Sequence, residues 1–255
     1  MGVYLNLELT DHCNLRCPMC SQAVRQLAHG HPPGFMAWDT WRRVLQHLAG
    51  SPEEVHLCPH WLGEPTVHPD FDRMIEYAFS MNAGNRLFRT FKLHTNGILL
   101  DPARARRLVR LARRPDQAPD TFTTVHWSFD ADSPETYRAV KGADRYHEVA
   151  ANLEAFLEVR EAAGARWPTT HIAFVVQERN AHEAEAFVAR WGAMLARTGR
   201  PWELACDWPR QDRDAVYLRP LNCGQQAQAD ALHAQVCARV GLGGDGGRLR
   251  AAESF

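Results

Sequence analysis

The stretch TDHCNLRCPMCSQ, residues 10–22, sets three cysteines, Cys13, Cys17 and Cys20, in a C-x3-C-x2-C spacing. Three thiolates this close in the chain can converge on one soft metal centre. A structural zinc site wants a fourth ligand, often from a second C-x2-C pair, and no such pair occurs at suitable spacing. A redox ferredoxin wants four cysteines for each cluster. Three cysteines on a four-iron cubane leave one iron open to an outside ligand. The competing reading is a zinc loop completed by His12, His29 or His31.

Working outward, the loop follows VYLNLEL (3–9), a short alternating run that reads as a strand. Similar β-branched or aromatic runs occur at Glu54–Cys58, Thr90–His94, Thr123–Phe129, His171–Val176 and Trp202–Cys206. Helical patterns lie between them, at Asp39–Leu48, Pro69–Met81, 145–163 and Ala181–Ala196. Asp101-Pro102 and Ser133-Pro134 each put a capping side chain before a proline at the first helical position. In 145–163, Tyr146, Val149, Leu153, Phe156 and Leu157 share one face.

Strand and helix in alternation predict βα units on a parallel sheet, an α/β fold. Six units are too few to close an eight-fold barrel, so the expectation is a partial (β/α)6 TIM-like barrel. In such folds the chemistry sits in loops at the C-terminal ends of strands. After about residue 209 the pattern weakens. QAQADALHAQVCARVGLG (226–243) reads as one helix, and no further strand is expected. The core is therefore assigned to 1–208 and a linker-like tail to 209–255.

Composition sets bounds on function. The 255 residues carry 29 Lys+Arg against 30 Asp+Glu, a net charge of −1. That balance argues against a nucleic-acid binder, which would show a basic excess. The 45% hydrophobic content supports a full core. No apolar run reaches the ~18 residues that a membrane span needs. The N-terminus lacks the basic and apolar regions of a signal peptide. Seven cysteines, three of them crowded together, suit a metal-bearing protein of the reducing cytoplasm better than a disulfide framework.

Four further loops follow strands. Gly63-Glu64-Pro65 comes after the second, Asn96-Gly97 after the third, Ser128-Phe129-Asp130-Ala131 after the fourth, and Gln177 with Asn180 after the fifth. A glycine lets backbone approach a ligand closely, and a carboxylate suits a cationic one. Taken singly, each of these also reads as a turn or a helix cap.

Together with the C-x3-C-x2-C loop, these residues resemble the radical S-adenosylmethionine (SAM) superfamily, in its SPASM/twitch branch. The resemblance implies that Cys13, Cys17 and Cys20 hold a [4Fe-4S] cluster whose open iron binds SAM, and that Met19 packs beside the adenine. Gly63 and Glu64 match the family's GGEP motif, whose acid contacts the SAM ammonium, with Leu62 replacing its first glycine. Asn96 and Ser128 would assist at the ribose or methionine end, and Asp130 would line the substrate side. Gln177 and Asn180 would offer further polar contacts. The implied reaction is reductive cleavage of SAM to a 5′-deoxyadenosyl radical that abstracts hydrogen from a peptide or small molecule. The electron would come from a donor such as flavodoxin or ferredoxin. A catalytically silent cluster protein that binds partners, and a zinc-stabilised interaction domain, are the alternatives.

In this branch a cysteine-rich extension usually follows, so residues 209–255 read either as its truncated start or as the tail of a shortened paralogue. Cys206, Cys223 and Cys237 are candidates for an auxiliary cluster, Cys223 the stronger. Other residues have plainer readings. Cys58 is expected as a small buried hydrophobe, and Arg104, Arg106, Arg107, Arg110, Arg113 and Arg114 as a solvated helix face. Trp61 beside Gly63 is a candidate for stacking on substrate. No HExxH motif occurs, and GLGGDGG (241–247) lacks the strand and helix of a nucleotide loop.

Overall fold

A computed structural model describes residues 2–21, 34–49, 53–113, 116–118, 121–242 and 248–250, the last three by backbone alone. His29, His31, Arg114 and the stretch 243–247 lie outside the described residues. The chain falls into two compact units. The first comprises 1–14, 21–125 and 152–168, and the second 15–20, 126–151 and 169–255.

In the first unit β1 (Gly2–Asn6), β2 (Glu54–Cys58) and β3 (Thr90–Thr95) pair in parallel, in that order, and β4 (Phe122–Ser128) follows β3. Helices α1 (Trp38–Leu48), α2 (Phe71–Asn85) and α3 (Pro102–Ala112) supply its apolar faces. Trp41, Leu45, Met74, Phe79, Phe88, Phe91 and Leu108 are all buried, and the Trp41 indole donates to Met74 O at 2.9 Å. Of the basic run, Arg106, Arg110 and Arg113 are exposed as expected, but Arg104 turns inward and donates to Thr66 O at 2.9 Å and Leu99 O at 3.0 Å. Arg104 and Arg107 also pair with Asp72 at 3.6 and 3.9 Å, and Arg107 and Arg110 with Glu76 at 3.8 and 3.6 Å.

Strand β4 passes into the second unit at His126, and helix α5 (Tyr146–Ala162) divides at Asn152. The second unit orders its strands β4-β5-β7-β6-β8. Strands β5 (Thr169–Val176), β6 (Trp202–Ala205) and β7 (Asp214–Pro220) are parallel, and β8 (Arg248–Arg250) runs antiparallel to β6. Helix α4 is Pro134–Lys141, α6 Ala184–Arg197 and α7 Gln226–Arg239. Phe129 anchors its core, stacked on Tyr146 at 5.3 Å and edge-on to Trp191 at 5.4 Å. Both expected caps form: Asp101 accepts from Arg104 N at 2.9 Å, and Ser133 from Thr136 N at 3.2 Å. The five residues picked out on α5 are all buried.

The parallel α/β architecture is that of the expected partial TIM-like barrel, an open sheet with seven parallel strands among the described residues where six βα units were expected. One expectation is corrected. The chain beyond residue 209 does hold a parallel strand, β7, which inserts between β5 and β6. Its run Ala-Val-Tyr-Leu is short and flanked by Asp212, Arg213, Asp214 and Arg219, which hides it in a hydrophobicity reading. The flanking charge is accommodated, because buried Asp214 accepts from Thr170 N at 2.8 Å. Strand β1 is also shorter than expected, since Leu7–Leu9 already form the approach to the cysteine loop.

Candidate functional site

In the first unit, three strand-end loops meet around residues 8–14. Glu8 accepts from Leu62 N at 2.6 Å and Gly63 N at 2.8 Å. Glu64 N in turn donates to His12 O at 2.7 Å. A Cβ on Gly63 would lie 2.0 Å from Thr10 O and 2.8 Å from His12 O. The glycine is therefore demanded by backbone packed against backbone. This crowding falls on position 63, and half-buried Leu62 occupies the place of the family motif's first glycine.

Glu64 is buried and bonded throughout. Its Oε1 accepts from Thr66 N at 3.2 Å, Thr66 Oγ1 at 2.6 Å and Thr95 Oγ1 at 2.9 Å, and its Oε2 from Asn96 N at 2.6 Å. Burial pushes its carboxyl above the usual range, and these donors pull it part of the way back. Asn96 carries the network on. Its Nδ2 donates to Asn14 Oδ1 at 2.7 Å and lies 3.9 Å from Cys13 Sγ, and its Oδ1 accepts from Ile98 N at 3.1 Å. Asn152 then ties down Gly97 O and Ile98 O at 2.9 and 3.0 Å. Cys58 is half-buried at the end of β2, with its thiol pushed up to about 11 by burial. His60 and His94 stack at 5.2 Å, and Trp61 is exposed.

In the second unit, Cys17 and Cys20 bracket a turn closed by Cys20 N donating to Cys17 O at 3.0 Å, and half-buried Met19 sits within it. Burial raises the Cys17 thiol, while the charge of Lys141 opposes it. Asp130 is wholly buried with its backbone left-handed at φ 66°. Its Oδ1 accepts from Val175 N at 2.7 Å, and its Oδ2 pairs with the buried Lys141 ammonium and accepts from Ser128 Oγ at 3.1 Å. Lys141 Nζ also reaches Ser128 Oγ at 3.0 Å. Asn180 Nδ2 donates to Asp130 O at 2.9 Å and Val175 O at 3.0 Å. Gln177, beside it, keeps a buried Nε2 with no hydrogen-bond partner. Gly142, at φ 72° after α4, packs on the cysteine loop, for a Cβ there would lie 2.9 Å from Arg16 O.

Gly63, Glu64, Asn96, Ser128, Asp130, Gln177 and Asn180 are thus at or just beyond strand ends, whereas Cys237 lies on helix α7. The first unit brings together Gly63, Glu64, Asn96 and Cys13, and the second Ser128, Asp130, Gln177 and Asn180. Glu8, Asn14, Thr95, Lys141 and Gly142 were missed. Only Lys141-Gly142 left a signal, a basic residue and a glycine closing a helix. His12, offered for a zinc loop, stacks on Phe35 at 4.2 Å. Cys206 and Cys237 are joined in a disulfide, and Cys223 is free.

Comparison with known proteins then bears on this arrangement. Residues 7–190 match the family model described as Radical SAM superfamily. GTP 3′,8-cyclase of Klebsiella pneumoniae is 28% identical over 195 residues, covering 73% of this chain and 50% of that protein. Mycofactocin maturase MftC of Mycobacterium ulcerans is 28% identical over 199 residues, covering 77% and 47%. The chain therefore spans about half the length of these curated relatives. Among solved structures, native anSMEcpe with bound AdoMet and Kp18Cys peptide shares the fold at a TM-score of 0.59 and 17% identity, covering 94% of this chain and 58% of that one.

Proposed function

The chain belongs to the radical SAM superfamily, and we propose on that footing that it is a radical SAM enzyme. Cys13, Cys17 and Cys20 hold a [4Fe-4S] cluster and leave one iron for S-adenosylmethionine. The observation that carries this reading is the convergence on the cysteine loop. Asn96, at the end of β3, reaches Cys13, and Gly63, beyond β2, seats residues 10–12.

The donor set fits the group: none of the three cysteines is taken up in a disulfide, and soft sulfur suits iron–sulfur ligation. The unpartnered Gln177 Nε2 fits a polar ligand beyond β5, since a buried donor costs free energy until it is bonded. When bound, the cluster supplies the electron that breaks a SAM carbon–sulfur bond, giving methionine and a 5′-deoxyadenosyl radical that takes hydrogen from substrate. The chain's own work is to bind, orient and exclude water. Met19 would pack at the adenine, Gly63 would offer backbone to the methionine end, and Ser128 and Gln177 would bond polar groups of the bound SAM. Asn96 orients the loop at Cys13.

Glu64 and Asp130 act through what they hold. Their carboxylates are engaged within the protein, so Glu64 fixes the strand-end loops around Asn96, and Asp130 joins the ends of β4 and β5 to Lys141. The substrate is a peptide or a small molecule, and the electron donor is of the flavodoxin or ferredoxin class. The compartment is the cytoplasm, where the three thiols stay reduced. No helix among the described residues is long and apolar enough to cross a membrane.

The test is anaerobic reconstitution with iron and sulfide, addition of SAM and dithionite, and mass spectrometry for 5′-deoxyadenosine. The expected result is 5′-deoxyadenosine from the wild type and none from the C13A/C17A/C20A variant. A full cluster that yields none overturns turnover in favour of a binding role, and zinc in place of iron overturns the cluster.

A further inference from the structure

Far along the chain from the cysteine loop, the second unit gathers another set of soft ligands. Cys206 follows directly on β6, and His233 and Cys237 lie four residues apart on α7, hence on one helical face. One ligand atom from each lies within 4.8 Å of the other two. His233 Nε2 is 3.3 Å from Cys237 Sγ and 3.1 Å from Leu218 O of β7. Cys237 is buried, and Cys206 and His233 are half-buried, so the group is shielded but reachable.

In the structure the two sulfurs are bonded to each other. A disulfide leaves no thiolate for a metal, yet the imidazole already stands against one sulfur. A tetrahedral zinc site has Zn–S of about 2.3 Å and Zn–N of about 2.0–2.1 Å, so its ligand atoms lie roughly 3.5–3.8 Å apart. The His233–Cys237 separation is already close to that edge. Once the S–S bond is broken, rotation of the two cysteine side chains can supply the other edges.

We propose that, when reduced, Cys206, His233 and Cys237 form a binding site for Zn²⁺ with one open position, and that the disulfide is its metal-free oxidised form. The exchange balances. A dithiol reductant gives up two electrons and two protons, becomes a disulfide, and leaves two thiols on the chain. Zinc then displaces both thiol protons. His233, whose Nε2–H donates to Leu218 O in the metal-free form, exchanges tautomer so that its proton resides on Nδ1 and Nε2 is released from Leu218 O to bind the metal. Two thiolates and an imidazole are the soft-to-intermediate donors that zinc favours. Cys223, though free, is outside the group.

The test uses the full chain carrying C13A/C17A/C20A, so that the thiols of the cluster loop cannot bind metal, with Co²⁺ as the spectroscopic probe. After reduction and removal of reductant, one Co²⁺ per chain is expected, with thiolate-to-cobalt charge-transfer bands and tetrahedral d–d absorption. Stoichiometric Zn²⁺ should bleach them, and the oxidised chain should show none. C206S and C237S should each abolish the bands, while C58S and C223S leave them intact. H233A should lower Co²⁺ affinity at least about 10-fold, the low end for loss of even an outer-shell partner. H233C should restore binding with added charge-transfer intensity, which separates loss of a ligand from loss of fold. No Co²⁺ on the reduced chain, or bands that survive C206S or C237S, would overturn the proposal. The cluster loop is absent from this measurement, so failure here leaves the SAM reading untouched.

Discussion

Replacing Gly63 by alanine tests the claim that backbone packing in the first unit shapes the cysteine loop. The new Cβ would lie 2.0 Å from Thr10 O, where ordinary contact begins near 3.4 Å, so the strands of chain must part by about 1.4 Å. Neither side can yield cheaply. Thr10 Oγ1 donates to Gly34 O at 2.6 Å, and Gly63 N is held by Glu8 at 2.8 Å. Overpacking of this kind costs about 1–3 kcal/mol. The movement also breaks the Glu64 N to His12 O hydrogen bond, worth about 1 kcal/mol. The expected loss of stability is therefore about 2–4 kcal/mol, or a fall in Tm of roughly 5–15 °C for a chain of this size. Differential scanning calorimetry on the G63A protein reads it, and iron retained after reconstitution should fall in parallel. Gly84 provides a control of opposite sign. It lies within α2, and nothing stands within 4 Å of a Cβ there. G84A should thus raise stability by about 0.5–1 kcal/mol through helix propensity alone. A G63A protein that melts within about 2 °C of wild type would refute the reasoning.

Three further perturbations follow from the buried groups. K141M leaves the Asp130 carboxylate buried without its cation, which should cost about 3–5 kcal/mol in urea denaturation, and K141M/D130N should recover part of it. Equal destabilisation by the single and double variants would show that the pair is not coupled. N96A removes the bonds to Asn14 and the approach to Cys13, and should shorten the lifetime of a reconstituted cluster under a chelator while far-UV circular dichroism stays native. For Glu64 the sign follows from burial. Its folded pKa is raised, so the folded state holds its proton to higher pH than the unfolded chain does, and stability falls as pH rises above 4.5. Set against E64Q, which does not titrate, wild type should lose relative stability as pH rises above about 4.5, the ordinary carboxyl range; a relative gain would contradict the assignment.

Most of what was legible in the sequence was local chemistry at strand ends. Prolines after Asp101 and Ser133 announced helix starts because they fix φ and need no donor there. The C-x3-C-x2-C loop was readable because its spacing is local, and Gly63 because it stands beside Glu64-Pro65 just past a strand, although the packing that demands a glycine there comes from the distant Thr10 and His12. What stayed hidden depended on long-range pairing. Strand β7 looks like a charged linker until β5 and β6 flank it, and only then is Asp214 seen to take the Thr170 N–H. Lys141 closes a helix and drew no reading from the sequence, yet it is almost wholly buried against Asp130, eleven residues before it. A further limit of sequence shows at Glu64 and Asp130. A carboxylate in a strand-end loop suggests a ligand contact, and sequence cannot show how many of its lone pairs the protein already occupies.

That occupancy explains why such acids sit where they do. The cysteine loop, 13–20, holds no helix or strand, so its backbone groups need partners from elsewhere. Fixing eight residues from Cys13 to Cys20 costs about 1–2 kcal/mol each in backbone entropy. Single hydrogen bonds of about 1 kcal/mol offset this only when many are available. Each unit meets the requirement in the same way, with one glycine pressed against the loop's carbonyls and one buried acid holding the neighbouring strand ends. In the first unit these are Gly63 and Glu64, in the second Gly142 and Asp130. The two halves of the cysteine loop are anchored by unrelated segments through the same physical device. Substitutions at these four positions should therefore register first as disorder in the loop, ahead of any loss of a contact to a bound ligand.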